Sequence, residues 1–338
     1  MIPLKTSLRR RALLGMQKAM YWTGGAAAYV RAKAIHGATI LLYHSIPTVQ
    51  GAEWIDPANA MSPELFEAQM DFLAHRRQVI SMSELVQRVK NHHTLDAGTV
   101  VITFDDGYLD NLQVAVPILQ RYRLPAIFYL ATNAINQGFL WIDQLHTMFQ
   151  RRTRHQLRLE TGSGSLDIPA TRSAIYRAIA DVLSRADVEQ RHFILTSIQE
   201  QLQPSAAPPR LMLNWDEARQ LNKQYPAIEI GLHTADHLDL VANESLAEEQ
   251  IERSQLDLER QLGIRAKHFS FPYGRFSVHS QNVIRDLGLE SAVVAGANCL
   301  IDAGSNPFAL ARISAPQSTS LLGFWTSGAY PGLSKALL

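Results

Sequence analysis

From residue 38 onward the chain alternates apolar runs of strand length with helix-length segments, which restricts it to a parallel β/α architecture and excludes a sandwich. The runs are ATILLY (38–43), RQVISM (77–82), GTVVITF (98–104), PAIFYLA (125–131), AIEIGL (227–232), KHFSF (267–271), SAVVA (291–295) and FALARI (308–313). Several are almost unbroken by polar residues, as strands covered on both faces require. The segments between carry helix signals. Ser245 and Glu248 read as a capping box ahead of Ala247, Ile251, Leu258 and Leu262, with Gly263 as the stop. Asn214 with Glu217 reads as a second cap, and Gly288 closes a third helix. About eight strands with helical crossovers predict an α/β fold, either a barrel or an open doubly wound sheet. In both, the chemistry collects at the C-terminal ends of the strands.

One gap breaks the rhythm. Between Thr132 and Asn214 the sequence offers two helix-like segments, 172–185 and 187–203, and a hairpin in QLRLETGSGSLDI that turns at Gly162–Ser165. A structureless loop of that length is improbable, so residues 133–213 read as an inserted helical subdomain at the rim. The expected plan is a basic arm or surface helix over 1–36 and a barrel over 37–338 that carries this insertion.

The formal charge of +1 hides an asymmetry, because residues 1–52 hold seven basic side chains (Lys5, Arg9, Arg10, Arg11, Lys18, Arg31, Lys33) and no acid. The remainder holds 25 basic against 31 acidic residues. A basic arm suits peripheral contact with an anionic membrane surface. It lacks the interleaved aromatics of a nucleic-acid binder. No run approaches the roughly 18 apolar residues of a membrane span, which leaves a cytoplasmic protein, peripheral at the inner membrane, as the expectation. The RRRALL segment with Ala26–Ala28 beyond it keeps export by a twin-arginine-like signal as the alternative. Cys299 is the single cysteine, so neither an intramolecular disulfide nor a cysteine-based zinc cluster can form. No oligomeric state is implied.

Three strand ends carry the chemistry. In VVITFDDGYLDN, a buried strand ends at Phe104 and is followed by Asp105, Asp106 and Gly107. A plain turn explains the glycine and one acid, but two adjacent carboxylates on so apolar a strand repel unless a cation or a shared proton intervenes. In IEIGLHTADHLDL, His233 and His237 sit four apart just past another strand. Together with a carboxylate from a different strand, they suit a divalent metal with open coordination positions. In FSFPYG, Pro272, Tyr273 and Gly274 would read alone as an ordinary turn.

TFDDG, HTADH and FPYG together resemble the polysaccharide deacetylases, the NodB-like carbohydrate esterase family 4, over roughly residues 38–315 apart from the insertion. The resemblance implies a distorted (β/α) barrel of about seven to eight parallel strands. It also implies one divalent metal, usually Zn2+, with Co2+, Ni2+, Fe2+ or Mn2+ as substitutes. By the same resemblance Asp106, His233 and His237 are the metal ligands, Asp105 is the general base, and the backbone N–H of Tyr273 is an oxyanion donor. Pro272 and Trp141 are the expected substrate contacts, although a hydrophobic plug for the insertion also explains Trp141.

Two departures from the family pattern matter. Ser270 stands where the third motif usually begins with an arginine that pairs with the base. Arg312 is the candidate replacement, since an arginine inside an apolar strand is costly to bury unless it meets a carboxylate. The late leucine-x-histidine that supplies the general acid is also missing, for no histidine follows His279. Leu42-Tyr43-His44 on the first strand has that pattern, which resembles the circularly permuted branch containing the poly-N-acetylglucosamine deacetylases and makes His44 the expected acid.

The implied activity is hydrolysis of the N-acetyl group of an amino sugar in a polysaccharide or a lipid-linked glycan precursor, with release of acetate. Two rivals stand beside it: a deformylase of a lipid-linked formamido sugar, and a carbohydrate-binding relative that has lost catalysis.

Overall fold

A computed structural model of the chain describes residues 4–159, 162–165, 168–296 and 300–330. Two helices, α1 (Leu4–Trp22) and α2 (Gly25–Ala32), precede the first strand, β1 (Ala38–Tyr43). Then follow α3 (Pro63–Arg76), β2 (Gln78–Val79), α4 (Met82–Lys90), β3 (Thr99–Phe104), α5 (Val116–Tyr122) and β4 (Ala126–Leu130). The long segment after β4 contains α6 (Thr132–Gln137), α7 (Trp141–Gln150), the hairpin β5 (Gln156–Leu159) and β6 (Gly162–Ser165), α8 (Pro169–Arg185), α9 (Val188–Leu202) and α10 (Trp215–Gln224). The chain then runs through β7 (Ile228–Leu232), α11 (Ala247–Leu262), β8 (His268–Ser270), α12 (Val278–Asp286), β9 (Ser291–Ala295), β10 (Leu310–Ser314) and α13 (Thr319–Trp325).

The sheet closes. Its order is β1-β10-β9-β8-β7-β4-β3, and β1 also pairs with β3, so seven parallel strands form a barrel with β2 appended to β3 as an eighth. The first and last strands are neighbours, with Ile40 opposite Arg312 and Leu42 opposite Ser314. Closure removes the edges of this sheet, apart from that of β2. It also explains the apolar runs, because β1, β3 and β4 are buried along their whole length. Outside the barrel wall, Tyr43, Phe104 and Phe128 stack in a row, with ring centroids 5.4 and 4.6 Å apart, and Phe66 of α3 meets the first two edge-on. Each fully buried ring of this kind contributes about 1.5–3 kcal/mol.

Local signals hold in part. Asn214 and Glu217 make a reciprocal capping box, since the Asn214 side chain accepts from Glu217 N at 2.8 Å and Glu217 Oε2 accepts from Asn214 N at 2.7 Å. Gly263 ends α11 at φ 69°, and Gly288 follows α12 at φ 78°. The Ser245 cap does not form. A 3-10 turn over Glu244–Leu246 leads into α11 instead, with Leu246 N bonded to Asn243 O. RQVISM contributes only the two residues of β2, because the polar serine at 81 caps α4 through Glu84 N. The hairpin exists, but Gly162–Ser165 is its second strand rather than its turn. Cys299 lies outside the described residues.

Helices α7, α8 and α9 share an apolar cluster of their own, centred on Leu145, Phe149, Leu183, Leu195 and Ile198. Tyr273, from the loop after β8, packs against that cluster and couples it to the barrel rim. Helix α1 lies on α13, where Trp325 Nε1 donates to Gln17 Oε1 and Gly323 leaves room for the Tyr21 ring. No helix among the described residues is long and apolar enough to cross a membrane.

Candidate active site

The C-terminal ends of β1, β3, β7, β8 and β10 converge on a cavity of about 470 Å³. His44, Asp105, Asp106, His233, His237, Tyr273, Trp141 and Arg312 all line it. Pro272 does not. It is buried beneath its turn, and Phe271, Tyr273 and Gly274 form the wall there.

Each motif glycine is required by space. A Cβ on Gly107, at φ 89°, would lie 2.8 Å from a Leu130 methyl, and one on Gly274, at φ 69°, would lie 2.4 Å from Ala295 N. Four other residues at this rim hold left-handed backbones without being glycine: Asp106 (φ 78°), Thr234 (60°), His237 (50°) and Tyr273 (60°). Such positions cost on the order of 1 kcal/mol each and persist where the surroundings enforce them.

Asp105 and Asp106, although adjacent, meet opposite environments. Arg312 grips Asp105 from both sides, with Nη1 to Oδ1 at 2.7 Å and Nη2 to Oδ2 at 2.6 Å. Arg312 is almost fully buried, and its guanidinium also donates to Thr103 Oγ1 (3.0 Å) and to Ser270 Oγ (2.8 Å). The Ser270 hydroxyl in turn donates to Asp105 Oδ2 at 3.1 Å. The serine in the usual arginine position thus leaves room for an arginine that arrives from β10. Burial pushes the Asp105 carboxyl up, but the Arg312 charge, helped by His233, outweighs it and holds the group well below the usual carboxylate range.

Asp106 has no such partner. Its Oδ1 is buried without a hydrogen bond, 3.4 Å from both His233 Nε2 and His237 Nε2. The ligand atoms of these three residues lie within 4.8 Å of one another. Both imidazoles are oriented from behind. His233 Nδ1 lies 2.8 Å from Ser270 O, and because a carbonyl can only accept, the proton sits on Nδ1 and Nε2 presents its lone pair. His237 Nδ1 lies 3.0 Å from the Tyr273 hydroxyl, which donates to His237 O at 3.2 Å and accepts from Trp141 Nε1 at 3.1 Å. Burial pushes the Tyr273 phenol up to about 12, so it stays a donor. Burial likewise pushes His237 down to about 3, which keeps its ring neutral. For His233, burial works against the charge, but Asp105 and Asp106 outweigh it and raise the pKa.

An orphaned carboxylate oxygen facing two lone-pair nitrogens is the donor set of a divalent cation site, and a three-residue N,N,O set leaves positions open for water or substrate. The residues fit the metal. Second-tier contacts such as Ser270 O and Tyr273 OH are what such ligands normally require.

His44 follows the last residue of β1, half-exposed on the cavity wall. Asp105 N donates to the carbonyl of the preceding Tyr43 at 3.0 Å. Trp141 is mostly buried; its N–H is committed to Tyr273 and its ring belongs to the apolar cluster of the inserted helices. Sequence reasoning missed the Tyr273 side chain and also Arg191 of α9. Buried Arg191 donates to Asp236 O at 2.9 Å and His237 O at 3.4 Å and lies over the Trp141 ring. A lone arginine in an amphipathic helix gives no signal of that contact.

Comparisons with known proteins give a family and a fold. The sequence profile of the polysaccharide deacetylase family matches residues 92–164 and 165–292. The polysaccharide deacetylase homologue YxkH of Bacillus subtilis is 28% identical over 126 residues, which cover 37% of this chain and 43% of that one. The match therefore spans less than half the length of that curated relative. Among solved structures, the Streptococcus pyogenes deacetylase PplD, in complex with acetate, superposes with a TM-score of 0.57 at 18% identity, over 87% of this chain and 98% of its own. IcaB from Ammonifex degensii gives 0.56 at 18% identity, over 86% and 97%. These two likenesses are of fold. With a profile match over most of its length, and with the motif residues gathered at one barrel rim, the chain belongs to the polysaccharide deacetylase family.

Proposed function

We propose that the protein hydrolyses the N-acetyl group of an amino sugar, in a polysaccharide or a lipid-linked glycan precursor, and releases acetate. The observation that carries this reading is the meeting, in one cavity, of an arginine-held carboxylate with a metal-competent Asp-His-His set.

An amide resists hydrolysis because water is a poor nucleophile and an amine a poor leaving group, so one must lose a proton and the other gain one. Asp106, His233 and His237 would hold the cation. A divalent ion there would supply Lewis acidity, enough to polarise a carbonyl and bring the pKa of water towards about 7. Asp105 is ionised at any working pH, and its bidentate contact with Arg312 fixes its orientation, so it accepts the proton of the attacking water. Its low basicity means that it would take that proton only with a cation held by Asp106, His233 and His237. The backbone N–H of Tyr273 donates to the developing oxyanion, a contact worth roughly 3 kcal/mol. His44 donates to the departing nitrogen.

The basic N-terminus supports peripheral contact with an anionic leaflet on the cytoplasmic side, where a lipid-linked sugar would be presented. Sedimentation with anionic and neutral vesicles tests this, and equal binding to both, or to neither, would remove it. The activity itself is tested by quantifying acetate and formate released from N-acetylated and N-formylated sugars. Acetate from the former supports the reading. Formate alone would make the protein a deformylase.

A further inference from the structure

The motif VVITFDDGYLDN is only half used by the proposed chemistry. Its last two residues, Asp110 and Asn111, open an irregular helix over Asn111–Ala115 with π-type bonding, a geometry that recurs at functional sites. Neither residue contributes to the cation site. Both reach instead across to the segment after β1, 64 to 67 residues away in sequence. The Asn111 amide donates to the His44 carbonyl at 2.7 Å. Asp110 Oδ1 accepts the Ile46 backbone N–H at 3.0 Å, and Oδ2 accepts the Ser45 hydroxyl at 2.5 Å. Asn111 Nδ2 also donates to Asp110 Oδ1 at 3.1 Å, which joins the two side chains into one unit.

His44 needs such support. The ladder between β1 and β3 ends at Tyr43 and Phe104, and beyond it the backbone is tied on one side only, by Ser45 N to Asn59 O and Met61 N to Ser45 O. The carbonyl of His44 requires a donor, whereas Ser45 and Ile46 require acceptors. An amide next to a carboxylate supplies that complementary set.

We propose that Asp110 and Asn111 are a positioning pair, which fixes the backbone of residues 44–46 so that the His44 imidazole faces the leaving nitrogen. The proposal rests on the reading of His44 as general acid. Neither residue touches reacting atoms, so the pair acts only through His44.

A simple loop anchor would slow every reaction at the site, whereas a device that aims the acid matters only when the leaving group needs a proton. The test therefore compares acetate release from N-acetylglucosamine oligomers with hydrolysis of p-nitrophenyl acetate, whose phenolate departs unprotonated. Metal content and thermal midpoint are recorded for each variant. Asn111→Ala is expected to lower kcat on the sugar amide on the order of 10- to 100-fold, a part of the roughly 10²- to 10⁴-fold that general acid–base catalysis supplies. KM and aryl acetate turnover should stay within about threefold, with metal content unchanged. Asn111→Leu, which keeps the size and loses the donor without adding a buried charge, should behave alike if the alanine variant folds poorly. The double variant His44→Ala/Asn111→Ala should be no slower than His44→Ala, because a residue acting through another adds nothing once that other is gone. Equal losses on amide and ester, or multiplying losses in the double variant, would overturn the pair's role and leave His44 as acid. Full amide turnover by His44→Ala would overturn the general acid reading and the proposal with it.

Discussion

The two ends of the barrel treat their polar groups in opposite ways. At the end where the strands begin, His268 is bonded through both ring nitrogens, to Ser83 Oγ at 3.0 Å and Ser291 Oγ at 2.9 Å. Glu229 there accepts from the backbone N–H groups of Met82 and Ser83. At the opposite rim Asp106 Oδ1 is buried without a donor, 3.4 Å from two imidazole nitrogens. Both ends were folded from the same kinds of strand, so a chain able to satisfy one set of buried polar groups was able to satisfy the other. The deficit at the rim is what the proposed cation site requires, in keeping with the expectation that local rules fail at functional sites.

The largest expected effect comes from breaking the rim where it is least satisfied. Asp106→Ala should lose the bound metal and about 10³-fold or more in turnover, since all the metal-dependent stabilisation disappears. Metal-free Asp106→Asn, which loses the charge but keeps a side chain that tolerates the left-handed backbone here, should melt no lower than metal-free wild type, because it relieves a buried carboxylate oxygen that had no hydrogen-bond partner. Elemental analysis with differential scanning calorimetry checks both halves. A variant that unfolds more easily without metal would mean that Asp106 is a structural residue.

Arg312 sharpens the same contrast, since here the rim pairs a buried carboxylate through both of its oxygens. Arg312→Met strands Asp105 as an unpaired buried carboxylate and should cost about 3–5 kcal/mol, read by urea unfolding. The double variant Arg312→Met/Asp105→Asn should recover part of that loss, because the stranded charge is gone. No recovery would show that the guanidinium stabilises through packing on Tyr129 rather than through the carboxylate.

The smallest effect belongs to the quiet end. Burial pushes His268 down to about 4, so the folded protein keeps the ring neutral while the unfolded chain protonates near 6.5. Stability should therefore be complete above about pH 6.5 and fall as the pH drops towards 4, by at most about 3 kcal/mol for this group. His268→Gln should flatten that part of the pH dependence in chemical denaturation. An unchanged slope would assign the acid sensitivity to other groups.

What could be read in the sequence follows the same division. The strand-end motifs were legible because each lies beside an apolar run, which fixes its place at the rim before any pairing is known. Arg312 was legible for a related reason, as a charge inside the strand LARIS needs a carboxylate, and the ring of strands brings β10 within reach of β3. The link from Trp141 through Tyr273 to His237 was not legible, because it joins residues 132 and 36 positions apart through side-chain atoms that no periodicity reports. The Ser245 cap failed since a 3-10 turn competed for the same backbone groups. The burial of Pro272 was not legible, because a turn motif does not tell which of its residues faces the cavity.

The central claim is that Asp105 is the base of a metal-dependent amide hydrolysis. It is tested most directly by measuring bound metal and acetate release together for wild type and Asp105→Asn. About one divalent ion per chain in both proteins, with acetate from the wild type alone, is the predicted result. Undiminished acetate release by Asp105→Asn, or by metal-free wild type, would contradict it.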